Sequence, residues 1–303
     1  MSDVDAGTVM PYAGDARDVL SVAGLRAGLS TTEAKLIRDG TNVIYRVPGG
    51  VVARVGPPGS RAVAERQIGA SRWLSDAGIP VVRALSGMDQ PTVVGDRPVT
   101  WWTELPEHRC ATPSELGRVL AQLHSLAVPD SPRLPVVDPF DGLADSIDRG
   151  TALPGDDRTW LRDLLERLRG EYIALAPGLP QRVIHGDAWQ GNVIVPDRGG
   201  PVLLDLDHLG IGPREWDLIS LAVDYTDFSR IAHSDYQAFV SAYGGYDMTI
   251  WSGYRTLATI RELRWTAFVL GKANVNEKAA DEARHRVACL RGEITRPWSW
   301  SAF

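Results

Sequence analysis

The stretch that decides the fold begins His185-Gly186-Asp187-Ala188-Trp189-Gln190-Gly191-Asn192. It continues through Val193-Ile194-Val195, the segment Pro196-Asp197-Arg198-Gly199-Gly200 and the run Val202-Leu203-Leu204 to Asp205. Two short aliphatic runs joined by Pro, Asp and Gly read as a β-hairpin. In an antiparallel hairpin the residue entering the first strand lies beside the residue leaving the second, so Asn192 and Asp205 are expected side by side. Asp187 precedes Asn192 by five residues on a loop, and two carboxylates and one amide oxygen thus converge at one end of the hairpin. Mg2+ takes hard oxygen ligands, usually one or two carboxylates completed by substrate phosphates, and Asn192 and Asp205 are donors of that type. Asp187 is left to orient an attacking hydroxyl and accept its proton. That arrangement suits a loose phosphoryl-transfer transition state, in which positioning and charge neutralisation carry the catalysis. An ordinary aspartate is ionised at neutral pH and needs no activation for the role.

Around this segment the chain is helical by apolar periodicity, over 113–126, 156–175, 213–224, 234–243, 249–270 and 276–291. Upstream the pattern changes. Short β-rich runs at 34–38, 43–47 and 51–55 are separated by Asp39-Gly40-Thr41-Asn42 and Pro48-Gly49-Gly50, which predicts a three-stranded antiparallel meander. After Pro57-Pro58-Gly59, the apolar face Ala64, Ile68, Ala70, Trp73 and Leu74 predicts a helix over 61–77, stopped by Gly78. Strands are expected at 81–85 and 98–105. The fold class is therefore α+β, with a small antiparallel β-sheet-plus-helix lobe at 29–108 and a larger, mostly helical lobe at 109–303. Residues 1–28, rich in Asp, Gly and Ala, read as an extension or a loosely packed first helix.

Composition narrows the function. With 44% hydrophobic and 23% charged residues, the 303-residue chain matches ordinary globular proteins, which excludes disorder or coiled coil for the whole. A formal net charge of −6 disfavours a general nucleic-acid binder. Two cysteines, Cys110 and Cys289, cannot build a disulfide framework or a four-thiolate zinc site. The acidic start of the chain lacks a signal-peptide pattern, and no run approaches ~18 apolar residues, so a cytoplasmic protein without a membrane partner is expected. GxxxxGK[ST], HExxH and GxSxG motifs are absent. Only three of the 32 basic residues are lysines, Lys35, Lys272 and Lys278, so a mechanism that needs a lysine has few places to find one.

The Asp-x4-Asn spacing matches the catalytic-loop pattern of kinases. The segments HGDAWQGNVIV and LLDLDHLGIGPREWDL resemble those of the aminoglycoside phosphotransferase family, which has a protein-kinase-like fold, and the similarity covers about residues 34–291. The resemblance implies that Asp187 is the catalytic base, that Asn192 and Asp205 bind Mg2+, that His185 is structural and that Asp217 braces the catalytic loop. It makes the small lobe the nucleotide lobe, binding ATP or GTP. The turn Gly40, Thr41 and Asn42 would cover the phosphates, although it lacks G-x-G-x-x-G and also reads as an ordinary hairpin turn. Adenine would meet backbone groups of Thr103, Glu104 and Leu105.

A kinase also grips the α- and β-phosphates with a cation on the third strand, held by a helix carboxylate. In Val51–Val55 that cation is Arg54, with Glu65 as the expected partner. Arginine keeps the charge and adds a bidentate fork, but it is not interchangeable with lysine. The other reading of the pair is a surface strand Arg beside a helix Glu.

The acceptor is less legible. Between Asp138 and Asp163 lie seven acidic residues against three basic ones, and in a helix Asp141, Asp145 and Asp148 would share one face. That face suits an aminated sugar or is simply solvated. From Arg214 onward eleven acidic residues balance eleven basic ones, so an antibiotic polycation is allowed and not demanded. Trp189 either stacks on the acceptor or packs between loop and helix. The expected activity is Mg2+-dependent phosphorylation of an amine-bearing antibiotic. The alternatives are a metabolite kinase for an amino sugar or choline-like alcohol, and a non-catalytic nucleotide-binding relative.

Overall fold

Alternating apolar residues build the first sheet. Strands β1 (Lys35–Arg38), β2 (Val43–Val47), β3 (Val51–Val55), β4 (Thr92–Val94) and β5 (Arg97–Thr103) pair antiparallel in the order β1-β2-β3-β5-β4. Tyr45, Ala53 and Trp101 lie opposite one another across three strands and are almost fully buried. The computed structural model describes residues 12–176 and 178–303. Helix α1 (Tyr12–Ala27) covers that apolar face with Ala16, Val19, Leu20 and Ala23, all in the same core. This differs from the loose packing expected for the N-terminal segment. Positions 16, 19, 20 and 23 follow the i, i+3, i+4, i+7 rule, but three of the four are small or β-branched, so the stripe is easily missed. The first eleven residues of the expected extension lie outside the described residues.

Helix α2 (Arg61–Asp76) packs against β5 and closes one residue before the expected end. The 81–85 run forms only isolated bridges, Val81 with Leu203 and Ala84 with Trp102, while β4 was hidden by the Gly- and Pro-containing turns around it. The remaining helices are α3 (Pro113–Ser125), α4 (Leu143–Arg149), α5 (Gly155–Ile173), α6 (Glu215–Thr226), α7 (His233–Tyr243), α8 (Tyr254–Ala273) and α9 (Glu277–Arg291). Helix α3 starts at a capping box in which Thr112 and Glu115 satisfy each other's backbone N–H groups. Helix α8 begins later than its periodicity suggests, because Asp247 caps a separate 3-10 turn at Met248–Ile250.

Of the five remaining short strands, those over 108–110, 182–184 and 210–212 escaped the sequence reading. β6 (His108–Cys110), β8 (Val193–Pro196) and β9 (Val202–Leu203) form one sheet in the order β6-β8-β9, so the expected hairpin is present. β7 (Arg182–Ile184) pairs antiparallel with β10 (Gly210–Gly212). The chain divides into two compact units. One holds the described residues up to Arg109 with Pro129–Arg133 and Val195–Asp207, and the other holds Cys110–Val128, Leu134–Ile194 and His208–Phe303. Among the described residues no helix is long and apolar enough to cross a membrane.

The packing of α1 is testable by substitution. Leu20 is fully buried and Leu25 is 84% exposed on the same helix. Leu20→Ala is expected to cost about 2–5 kcal/mol in urea unfolding, whereas Leu25→Ala should stay within about 0.5 kcal/mol.

Candidate active site

In the second unit the loop after β7 is fixed by one buried carboxylate. Asp217, in the first turn of α6, accepts the backbone N–H of His185 at Oδ2 (2.6 Å) and that of Gly186 at Oδ1 (2.8 Å). His124 Nε2 of α3 lies 3.0 Å from the same Oδ2, and His124 Nδ1 lies 2.8 Å from the Tyr243 hydroxyl of α7. Burial by itself would raise the Asp217 pKa, but its interactions with His124 and His185 outweigh that and hold it below the ordinary aspartate value. The neighbouring Trp216 donates its indole N–H to the Gly186 carbonyl (3.1 Å). Gly186 has φ +82°, and a Cβ there would run into the His208 carbonyl, so the loop needs glycine at this point.

The braced loop delivers Asp187 and Asn192. Asn192 ends a 3-10 turn, Gln190–Asn192, and its Nδ2 donates to the Asp187 carbonyl (2.9 Å), with Asp187 Oδ2 at 3.4 Å. That use of the amide nitrogen leaves the amide oxygen as the ligand-type atom. The other carboxylate oxygen, Asp187 Oδ1, lies 3.3 Å from Arg261 Nη1 of α8. Arg261 is buried, donates from Nη2 to the Trp216 carbonyl (3.2 Å) and stacks 4.2 Å over the Trp216 ring. Burial lowers its pKa to about 10 against the upward pull of Asp187. The sequence reading missed Arg261. The available signal was a charged residue on the buried stripe of α8, beside Leu257, Ala258 and Ile260.

Asp187 opens into a cavity of about 770 Å3 whose wall includes Trp189, Arg230, Arg261, Arg264 and Trp265. Trp189 is 52% exposed on this wall, and its ring lies so close over Gly191 that a Cβ there would collide with it. None of the three aspartates of the expected acidic face lines the cavity, although the Asp141 carbonyl accepts from Arg264 of its wall. Gly142 starts α4 in a left-handed conformation, which leaves Asp141 outside the helix, while Asp148 pairs with Arg162 (2.6 Å) and Asp145 is exposed.

In the first unit Arg54 Nη2 donates to both carboxylate oxygens of Asp207, at 2.9 and 3.0 Å. Gln67 of α2 (2.7 Å) and Asn42 (3.3 Å) donate to the same carboxylate. The expected Arg54–Glu65 pair is absent: Glu65 is half-exposed and pairs with Arg61 at 2.7 Å. The inward face of α2 is set by Ala64, Gln67, Ile68 and Ser71, which turns position 65 toward solvent. Thr41, Asn42, Arg54, Gln67, Thr100 and Asp207 line a cavity of about 210 Å3, and Gly40 lies in the same turn but not on this wall. Arg54 Nε is buried and has no hydrogen-bond partner among the described residues.

The adenine expectation meets a limit. The Thr103 N–H is taken by the Arg83 carbonyl and the Glu104 N–H by the Gly50 carbonyl, at 2.9 and 2.8 Å. The Glu104 carboxylate pairs with Arg46 (2.5 Å). Glu104 and Leu105 do line a separate cavity of about 880 Å3 with Arg46, Gly50 and His108. Asp205 follows β9 in the first unit with φ +52°, a left-handed conformation that aspartate tolerates better than most residues. Among the described residues no three His, Cys, Asp or Glu side chains cluster as a metal site. A carboxylate and an amide oxygen are a partial donor set of the kind Mg2+ completes with phosphate oxygens.

A model of the phosphotransferase enzyme family matches residues 33–258, about three-quarters of the chain. The chain belongs to that family. As a member of the phosphotransferase enzyme family it is a small-molecule phosphotransferase, and its fold is protein-kinase-like. An aminoglycoside phosphotransferase from Streptomyces rimosus superposes with a TM-score of 0.61 at 23% identity, over 84% of this chain and 99% of that one. An amicoumacin kinase in complex with AMP-PNP, Ca2+ and Ami superposes with a TM-score of 0.72 at 14% identity, over 94% and 97%. A choline/ethanolamine kinase family protein from Mesorhizobium loti gives 0.62 at 21% identity, over 94% and 95%. No curated protein matches the chain in sequence.

The brace on the loop carries a pH signature. A carboxylate with a lowered folded-state pKa adds stability that is fully present above the unfolded aspartate pKa of about 3.9 and is lost as pH falls through the folded value. Asp217→Ala is expected to destabilise the protein by about 3–5 kcal/mol at neutral pH, since it strands buried donors. The gap to wild type should narrow as pH falls below about 4, read from urea unfolding at several pH values.

Proposed function

We propose that the protein is a Mg2+-dependent kinase that transfers the γ-phosphoryl group of ATP, or of GTP, to a hydroxyl of a small acceptor. The observation that carries this reading is Asp187, held by Asn192 and Arg261 and opening into a cavity of ligand size. Asp187 orients the acceptor hydroxyl and takes its proton as the bond to phosphorus forms. Arg261 keeps the Asp187 carboxylate turned toward the cavity. Asn192 and Asp205 would hold Mg2+, whose contribution when bound would be charge neutralisation at the transferring phosphoryl group. Arg54, clamped by Asp207, grips the nucleotide phosphates, with Thr41 and Asn42 beside it. His185 and Asp217 act by positioning the loop. Nucleotide and divalent ion in the amicoumacin kinase complex support this donor side.

The acceptor wall speaks against the polycationic antibiotic that the family resemblance implies. Besides Asp187 its carboxylate is Asp224, and that one is already paired with Arg230 at 2.9 Å. An acceptor of metabolite size with little positive charge fits better.

Release of ADP in a coupled assay, screened over hydroxylated metabolites, amino alcohols and aminoglycosides, tests the reading. Asp187→Ala should lower turnover on the best acceptor by about 10²–10⁴-fold while AMP-PNP affinity changes little, and EDTA should abolish turnover. Full turnover by Asp187→Ala would remove the base assignment. Nucleotide binding without transfer to any acceptor would favour a non-catalytic relative.

A further inference from the structure

We propose that the acceptor carries an anionic group, a carboxylate, that docks on Arg264 while its hydroxyl faces Asp187. The inference rests on the proposed phosphoryl transfer only for the placement of the hydroxyl.

The wall of the 770 Å3 cavity presents three arginines, Arg230, Arg261 and Arg264, against two aspartates, Asp187 and Asp224. The aspartates are each matched to one arginine, Asp224 to Arg230 at 2.9 Å and Asp187 to Arg261 at 3.3 Å. Arg264 makes no ion pair among the described residues, and its Nη1 donates to two neutral acceptors, the carbonyls of Pro139 (3.1 Å) and Asp141 (3.0 Å). Those two carbonyls fix the guanidinium in place, and Asp187, Asp141 and Asp138 act on it through space without a direct ion pair.

That arrangement is costly without a ligand. Arg261 and Arg264 are three residues apart on α8, which places their Cβ atoms ~5–6 Å apart, and like charges at this spacing repel. Both guanidinium pKa values are lowered, in each case first by burial; the charge of Arg264 further lowers that of Arg261, while Asp187, Asp141 and Asp138 pull that of Arg264 part of the way back up. Arg261 Nε is also buried without a partner. An oxyanion against Arg264 would supply the direct partner that its guanidinium lacks, through the planar fork that suits carboxylates. Next to it the half-exposed rings of Trp189 and Phe268, with Trp265, offer apolar faces for the body of such a molecule. The spacing of Arg261 and Arg264 along α8 places hydroxyl and carboxylate about one helical turn, ~5 Å or somewhat more, apart.

A matched trio of probes isolates the charge: 4-(hydroxymethyl)benzoate, its benzamide and the corresponding benzylamine share one size and one hydroxyl. Equilibrium binding to the full-length protein, measured by calorimetry without turnover, should favour the acid by about tenfold or more over both others. Arg264→Gln should remove that preference and Arg264→Lys should restore part of it, with thermal melting confirming that each variant is folded. AMP-PNP affinity should not change. Equal binding of the three probes by the wild type, or binding of none, overturns the inference without recourse to any variant. So does a loss of AMP-PNP affinity in Arg264→Gln, which would assign the arginine to the nucleotide. None of these readouts requires catalysis, so they stand apart from failure of the Asp187 test.

Discussion

The loop that carries Asp187 depends on the hydrogen bonds from two successive backbone N–H groups to the Asp217 carboxylate. Charge-assisted bonds of this kind are short and strong, and here they are sealed from water. A buried carboxylate is tolerable only if its acceptors are filled, and His124 supplies the third contact. His124 is in turn set by the packing of α3 on α7, where Gly117 lets the helices approach until a Cβ would crowd the Phe239 carbonyl. A small residue in a helix interface therefore fixes a histidine, the histidine supports an aspartate, and the aspartate shapes the loop. The geometry of the loop that presents Asp187 is inherited from core packing.

A parallel chain of causes operates in the first unit. With no lysine on the third strand, the cation is the longer Arg54, and a carboxylate on α2 is not what it meets. Gln67 stands at the inward helix position, and the negative charge comes from Asp207, two residues beyond Asp205. The segment from Asp205 to Asp207 thus supplies both a candidate metal ligand and the partner of Arg54, the candidate phosphate-binding cation. An Arg–Asp pair with two oxygen contacts is more directional than a Lys–Glu pair, so the choice of arginine and the shift of its partner belong together.

What could be read from the sequence follows from how local the determinants are. The meander, α2 and six later helices were legible because period-2 and period-3.6 patterns are local, and the HGD to Asn192 spacing was legible because the loop is contiguous. The Asp217 brace was legible only through the family resemblance. Glu65 was misjudged because one residue's rotation about α2 depends on which face is buried, and a mixed face of Ala64, Gln67 and Ser71 does not announce itself. Arg261 and Asp207 were invisible because their partners lie 74 and 153 residues away in the chain. The acidic face at 141–148 failed for a local reason: Gly142 breaks the helix between its first two members.

The charge of the whole chain also misleads about the charge of its site. A net −6 spread over 303 residues sets solubility and long-range steering, and exposed charges separated by more than ~8–10 Å are largely screened at physiological salt. Inside a partly enclosed cavity the same charges act at shorter range and with less screening. What a ligand meets there is the small remainder left after pairing, and pairing is a three-dimensional property. The chain from Arg214 onward is balanced in sequence, yet its fold brings Arg230, Arg261 and Arg264 to one wall and leaves Arg264 without a direct ion pair among the described residues. An acidic protein can in this way present an arginine that has no direct carboxylate partner, and such a local arrangement bears more directly on what a cavity binds than the overall charge.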